Sequence, residues 1–327
     1  MLTSQSRARP PAWAQPRTRK LGVLVALALL AGLLLYRGGW TVSRHQEAAA
    51  NAVVATGAAL SPASLGTRGD VAVRDDGAIT PQRPPSLRRD FEAATDLYAF
   101  AQRLAPAVQA KEPDAIWMLS RVYDYCAGYA VAPAAYAKDT QVFGDMGLRT
   151  SAALVTARNR VSRRCARFVP EDDLSYRAIL LQRVEAAEAG SLAAEAALLA
   201  MGKPLKSDDP YKHALVERVQ QSKDPEAYAA LSPGMGIAAN GRSAFSEQVA
   251  GTQFAELAWQ LAACRLGLDC GPEGALMTNY CANGGICSRD AGQDFPSFVY
   301  DAAVPRQGAD VVNDMVTSLL GEERVMK

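Results

Sequence analysis

Residues 90 to 126, DFEAATDLYAFAQRLAPAVQAKEPDAIWMLSRVYDYC, decide the fold class. Apolar side chains recur at helical spacing on both sides of the Lys-Glu-Pro-Asp break at 111 to 114, where proline stands at a first helical turn that needs no N–H. Two helices are predicted here, Asp90 to Ala110 and Pro113 to Cys126. In the second, Ala115, Leu119, Val122 and Cys126 share one face.

The pattern continues outward. Helices are expected at Thr150 to Phe168, Leu174 to Ala189, Leu192 to Met201, Tyr211 to Gln221 and Phe254 to Leu266, with a short one around Ala275 to Cys281. Composition agrees: aromatics are 7% of the chain, while alanine, at about 60 residues, supplies small and strongly helix-forming side chains. The expected fold is all-α, an irregular array of helical hairpins with a disulfide-stapled C-terminal cap.

Leu21 to Tyr36, LGVLVALALLAGLLLY, is sixteen residues without a charge, preceded by Arg17, Arg19 and Lys20. Sixteen helical residues reach only about 24 Å of a hydrocarbon core of about 30 Å, so a cleaved signal peptide competes with a transmembrane helix. If Arg37 snorkels, the helix extends to Val42 and Tyr36 and Trp40 form an interfacial belt, which favours an anchor over residues 21–42 in contact with membrane lipid. No small-x-small cleavage site lies close to the run; the nearest is around Ala48 to Ala50. Residues 1–20 hold five basic residues and no acid, against only Arg44 in the first fifteen or so after Val42, so the N-terminus is expected inside. In a bacterium, which the alanine-rich and arginine-rich usage suggests, this is an inner-membrane protein with a cytoplasmic tail and a periplasmic main domain.

Residues 43–89, rich in Ala, Gly, Pro, Ser and Thr, read as a flexible tether, 90–305 as the helical domain with its cap at 264–287, and 306–327 as a C-terminal helix and tail. Without the first twenty residues the chain carries 30 basic and 34 acidic residues, a net of −4, which argues against nucleic acid as a partner.

Three segments share a plan: QAKEPDAIWMLSRVY (109 to 123), EAGSLAAEAALLAM (188 to 201) and QSKDPEAYAAL (221 to 231) each place a turn before an alanine, Ala115, Ala194 or Ala227, that opens an apolar helix. On these residues the sequence resembles the tetratricopeptide and Sel-like helical repeat families, over about 120 residues built from units of about 35 to 40. The resemblance implies paired helices and the binding of other proteins.

All six cysteines follow the apolar segment, and an even number in an oxidising compartment points to three disulfides. Cys126 and Cys165 both face the apolar layer of their helices and are expected to pair. The other four form C-x5-C-x10-C-x5-C in ACRLGLDCGPEGALMTNYCANGGIC, which lacks the short spacing of structural zinc, and no metal or cofactor is expected. Of the three possible pairings, Cys264 with Cys281 and Cys270 with Cys287 is preferred, joining two helices. The small Gly and Cys pattern here resembles uncharacterised, membrane-anchored bacterial envelope proteins and implies no activity.

Candidate chemistry is sparse. With only His45 and His213, most histidine-dependent mechanisms drop out. Gly236 to Ser243, GIAANGRS, has phosphate-loop spacing with Arg242 in place of lysine but no strand before it, so a glycine-rich interhelical loop is the expectation. Arg160, Arg163, Arg164 and Arg167 lie at i, i+3, i+4 and i+7, a stripe that suits anions unless it is a solvated face compensated by Glu171, Asp172 and Asp173. Glu247 is a candidate buried acid for a glycan hydrolase. The Asp310 to Leu320 run carries an apolar stripe that covers its own domain or docks a partner helix. The reading carried forward is a non-enzymatic, single-pass envelope protein that mediates protein–protein interaction with an unnamed envelope partner. The alternative is a membrane-tethered, glycan-directed envelope hydrolase, with unknown catalytic residues.

Overall fold

A computed structural model describes residues 86–321. The basic tail, the apolar segment 21–42, the tether up to residue 85 and the last six residues lie outside the described residues. Those described belong to one unit of the chain. They form thirteen α-helices, and no strand occurs among them.

In chain order the helices are α1 Leu87–Ala93, α2 Leu97–Gln109, α3 Pro113–Ala130, α4 Pro133–Asp145, α5 Ser151–Cys165, α6 Tyr176–Glu188 and α7 Leu192–Ala200. Then follow α8 Asp209–Ser222, α9 Pro225–Met235, α10 Gln253–Arg265, α11 Ala275–Ala282, α12 Phe295–Ala302 and α13 Ala309–Leu320. Among these helices, no helix is long and apolar enough to cross a membrane.

Side chains start seven of the helices, and Ser191, Asp208 and Asp224 do so at breaks that the sequence punctuation marks. Asp96, Ser175, Ser191, Asp208, Asp224, Thr252 and Asp294 each accept a hydrogen bond from a backbone N–H of the first turn that follows. Capping also explains a correction. The single helix expected over Asp90 to Ala110 is two, because Asp96 takes an extended backbone and caps α2 through the N–H of Ala99 at 2.9 Å. The first helix also starts at Leu87, inside the segment read as tether.

The helix α4 was not expected. It buries only Tyr136 and Thr140, so no apolar stripe announces it. It is held by Arg158 of α5, whose guanidinium lies 3.7 Å from the Tyr136 ring centroid and donates to Thr140 Oγ1 at 2.8 Å and to the Tyr136 carbonyl at 3.1 Å. Cation–π contact and two charge-assisted hydrogen bonds do the work that apolar burial does elsewhere.

Helix α7 is buried along seven of its nine residues and packs against α6, α8 and α9. Its alanines, with Ala227 of α9 and Ala258, Ala262 and Ala263 of α10, let these helices approach closely. At Gly234 of α9 an added Cβ would stand 3.0 Å from the Cα of Ala200, so only glycine keeps this α7–α9 spacing. Trp259, Tyr228, Phe91 and Phe295 supply the large apolar volume. Helix α13 packs on α10 and buries Val312, Val316 and Leu319; the Tyr228 hydroxyl donates to the Leu319 carbonyl at 2.9 Å. Of the two uses expected for this helix, it covers its own domain.

Cys126 and Cys165 are joined, tying α3 to α5 across 39 residues. The remaining pairs differ from the expected cross-linking: Cys264 bonds Cys270, and Cys281 bonds Cys287. The reason is local. Each helix ends one residue after its cysteine, and a glycine in the left-handed region, Gly267 with φ +100° or Gly285 with φ +69°, folds the chain back onto it. The two turns hold each sixth residue against its cysteine, and no disulfide joins α10 to α11.

Candidate functional site

Helix spacing gathers charge into one cleft. Trp117, Arg121 and Asp124 sit at i, i+4 and i+7 on α3, while Glu226, Ala229, Ala230 and Pro233 line one side of α9. Glu92 of α1, Arg183 of α6, Gln260 of α10, Asn279 of α11 and Asp269 also line this cavity of about 350 Å³, with Ala197 and Ala200 of α7 on its apolar side. That volume lies in the range of about 300 to 1,000 Å³ usual for ligand sites.

Arg121 is the centre of its polar network. Its Nη1 donates to both carboxylate oxygens of Glu226 at 2.6 Å, its Nη2 lies 4.0 Å from Glu92 Oε1, and its guanidinium carbon stands 4.8 Å from the Phe91 ring centroid. Burial works against its charge, yet Glu226 and Glu92 outweigh burial and hold its pKa above the ordinary arginine value. The Trp117 indole N–H also donates to Glu226, at 3.3 Å. A second pair faces it: Arg183 Nη2 donates to Asp124 Oδ2 at 2.7 Å, while Arg183 Nε is buried without a partner.

Glu92 behaves differently. Its side chain is only 9% exposed, its Oε2 accepts from the backbone N–H of Ala275 at 2.9 Å, and its Oε1 receives no hydrogen bond among the described residues. Burial pushes its carboxyl above the usual range, with Arg121 pulling part of the way back.

The arginine stripe does not remain one solvated face. Arg164 is buried: it donates to the carbonyls of Ala94 at 2.9 Å, Glu92 at 3.4 Å and Phe91, closing the end of α1, and stands over the Phe91 and Tyr125 rings. Arg160 pairs with Glu273 at 2.7 Å and donates to Thr278. Arg167 pairs with Asp96 at 3.1 Å, and Arg163 is exposed. The correction has a simple cause: α11 packs on α5 and Arg164 reaches the carbonyl end of α1, so an exposed stripe in one helix becomes a three-way joint. The acids at 171 to 173 are not its partners, and Asp172 instead accepts from the Val169 N–H.

Other candidates fall away from the cleft. Glu247 is exposed, the 236 to 243 loop contains two short 3-10 turns, and His213 lies on α8 with Nε2 3.3 Å from Glu217. Among the described residues no cluster of three His, Cys, Asp or Glu is placed to hold a metal ion. The sequence reading missed Glu92, Arg121 and Glu226. The available signal was Arg121 four residues after Trp117, a charge bordering a buried face. Comparison with protein families, with curated proteins and with solved structures finds no match for this chain.

Proposed function

We propose that this chain is a single-pass inner-membrane protein of a bacterium that presents a disulfide-stapled, irregular array of helical hairpins to the periplasm and binds another envelope protein there. The cleft around Arg121 is its recognition site. One observation carries the reading: four charged groups of the cleft are already paired, Arg121 with Glu226 and Arg183 with Asp124, so the polar surface is built before a partner arrives. The apolar run at 21–36 with its basic flank, and the tetratricopeptide-like segments, support the same reading.

A photo-crosslinking amino acid placed at Asp269 or Asn279, on the cleft, tests it in intact cells. A discrete crosslinked envelope protein is expected from those sites and not from Lys138 on the exposed side of α4. Equal or absent crosslinking at all three positions overturns the recognition reading.

The glycan-hydrolase reading has one specific support, the buried Glu92 carboxyl, because a general acid needs a raised pKa. Release of reducing ends from purified cell-wall glycan by the wild type, lost in Glu92→Gln, decides for it. Equal release by both proteins decides against it.

A further inference from the structure

Arg183 lines the cleft with an unfinished set of hydrogen bonds. Its side chain is nine-tenths buried. Nη2 donates to Asp124 Oδ2 at 2.7 Å, and Nη1 faces the Met201 thioether sulfur, a weak acceptor, at 3.2 Å. Nε is buried and has no partner among the described residues. A charged donor shut away from both water and an acceptor is unfavourable, so this position calls for an acceptor from outside the domain. The neighbours that give way to it are exposed Asp124 and Met201, whose unbranched side chain swings aside at little cost.

The rest of the lining narrows the kind of acceptor. Four carboxylates, Glu92, Asp124, Glu226 and Asp269, face two guanidinium groups, Arg121 and Arg183, so a carboxylate or phosphate is repelled. An ammonium brings donors only and leaves Nε bare. A sugar has no ring face to lie on: Trp117, the one aromatic side chain of the lining, is 5% exposed, and the Arg183 guanidinium carbon stands 5.6 Å from its ring centroid. A carboxamide fits, because its oxygen accepts, its NH2 group donates and it carries no charge. Nε and Nη2 share one edge of the planar guanidinium, so a carboxamide oxygen on Nε places its NH2 group beside the Asp124 carboxylate. Ala197, Ala200, Ala229 and Ala230 form an apolar wall without large side chains, suited to the methylenes that carry such a group.

We propose that the cleft binds the side chain of a glutamine or asparagine on the partner protein, its carboxamide oxygen accepting from Arg183 Nε and its NH2 group donating to Asp124. This rests on the reading of the cleft as a protein-recognition site. Both hydrogen bonds involve a charged group of the cleft, which makes them stronger than bonds between neutral groups.

The test uses the full-length protein in detergent micelles, labelled with nitrogen-15 in its arginines, and the Nα-acetyl methylamides of glutamine and asparagine as probes. The glutamate and methionine counterparts are the controls, and all four share the same backbone amides. One of the two carboxamide probes is expected to bind at millimolar concentration and roughly tenfold more tightly than either control. Added salt should change its affinity by less than about twofold, because the probe is uncharged. The Arg183 Nε–H signal, identified by its loss in Arg183→Lys, should move downfield in the proton dimension as the probe is added. Arg183→Lys keeps a cation for Asp124, and Asp124→Asn keeps an acceptor for Arg183 Nη2, so both variants should fold, as circular dichroism will check, while each binds several-fold more weakly. If either variant fails to fold, the Nε–H signal of the wild type still decides. No binding of either carboxamide probe, equal binding of the glutamate or methionine compound, or an Nε–H signal that stays in place overturns the inference. If Asp269 or Asn279 crosslinks to a partner in cells while the carboxamide probes fail, the recognition reading stands and the carboxamide assignment falls. If the crosslinks fail, the recognition reading itself falls.

Discussion

Glu92 on α1 accepts a hydrogen bond at 2.9 Å from the backbone N–H of Ala275, the first residue of α11 and 183 positions further along the chain. Helix α11 has no side-chain cap of its own, because its N-cap is Gly274 and an added Cβ there would stand 2.9 Å from the Asp269 carbonyl. A carboxylate from the far end of the domain fills the role that Asp, Ser or Thr plays at seven other helices here. The same side chain therefore links the first helix to the Cys-rich segment and lines the cleft.

Removing that cap without replacing it should be costly. Glu92→Ala is expected to destabilise the domain by about 1 to 2 kcal/mol, the usual range for a lost cap, read as a lower denaturant midpoint. Glu92→Gln should do the opposite at neutral pH, because it keeps an acceptor and removes a buried charge. The sign follows from linkage: the folded-state pKa of Glu92 is raised, so its ionisation opposes folding. Stability from this group is lost as pH rises from the ordinary glutamate range through the raised value. Glu92→Gln should therefore melt above the wild type at pH 7, with the gap closing as pH falls through that window. A variant that melts lower at pH 7 would contradict the assignment.

The four arginines of α5 should separate by mutation. Arg164→Gln leaves the α1 carbonyls without their buried partner and is expected to cost about 2 to 4 kcal/mol, whereas exposed Arg163→Gln should stay within about 0.5 kcal/mol. Chemical denaturation of both variants checks this, and equal midpoints would show that the carbonyl contacts of Arg164 add nothing.

Disulfide connectivity is open to one cleavage. Met277 lies between Cys270 and Cys281, so cyanogen bromide treatment without reductant should separate residues 236–277 from 278–315. Crossed pairing would keep the two fragments together. The stability contributions should also differ: loss of Cys126–Cys165, which closes 39 residues, is expected to cost roughly 4 kcal/mol in the entropy model, and each six-residue loop roughly 2 kcal/mol.

Topology has its own test. A reporter active only after export, fused after Lys327, should be active, and the mature protein should retain residues 1–20. Recovery of a soluble form starting near Asn51 would replace the anchor with a cleaved signal peptide.

The helical class was legible because it rests on short-range rules. Apolar spacing of three and four residues and the Asp, Ser, Thr and Pro punctuation place α3, α6, α7 and α10 within about two residues of their observed starts. The pairing of Cys126 with Cys165 was legible too, because each thiol lies on the apolar face of its helix. Helix α4 was not legible, since a cation over a ring and two hydrogen bonds hold it rather than an apolar stripe. The break after α1 was hidden for a related reason: Asp96 caps α2, and the carbonyls left at the end of α1 are satisfied by Arg164 from α5.

By itself the sequence determined that the domain is helical, that its cysteines form disulfides and where α3, α6, α7 and α10 begin, because propensity, amphipathic period and capping act over a few positions. Tertiary structure alone decided that Arg164 is buried and that Glu92, Arg121, Glu226 and Asp269 meet in one cleft. Those outcomes depend on which helix faces which. Charges 105 to 183 residues apart, such as Arg121 with Glu226 and Glu92 with the N-terminus of α11, come together only when the alanine-lined helices have closed on one another.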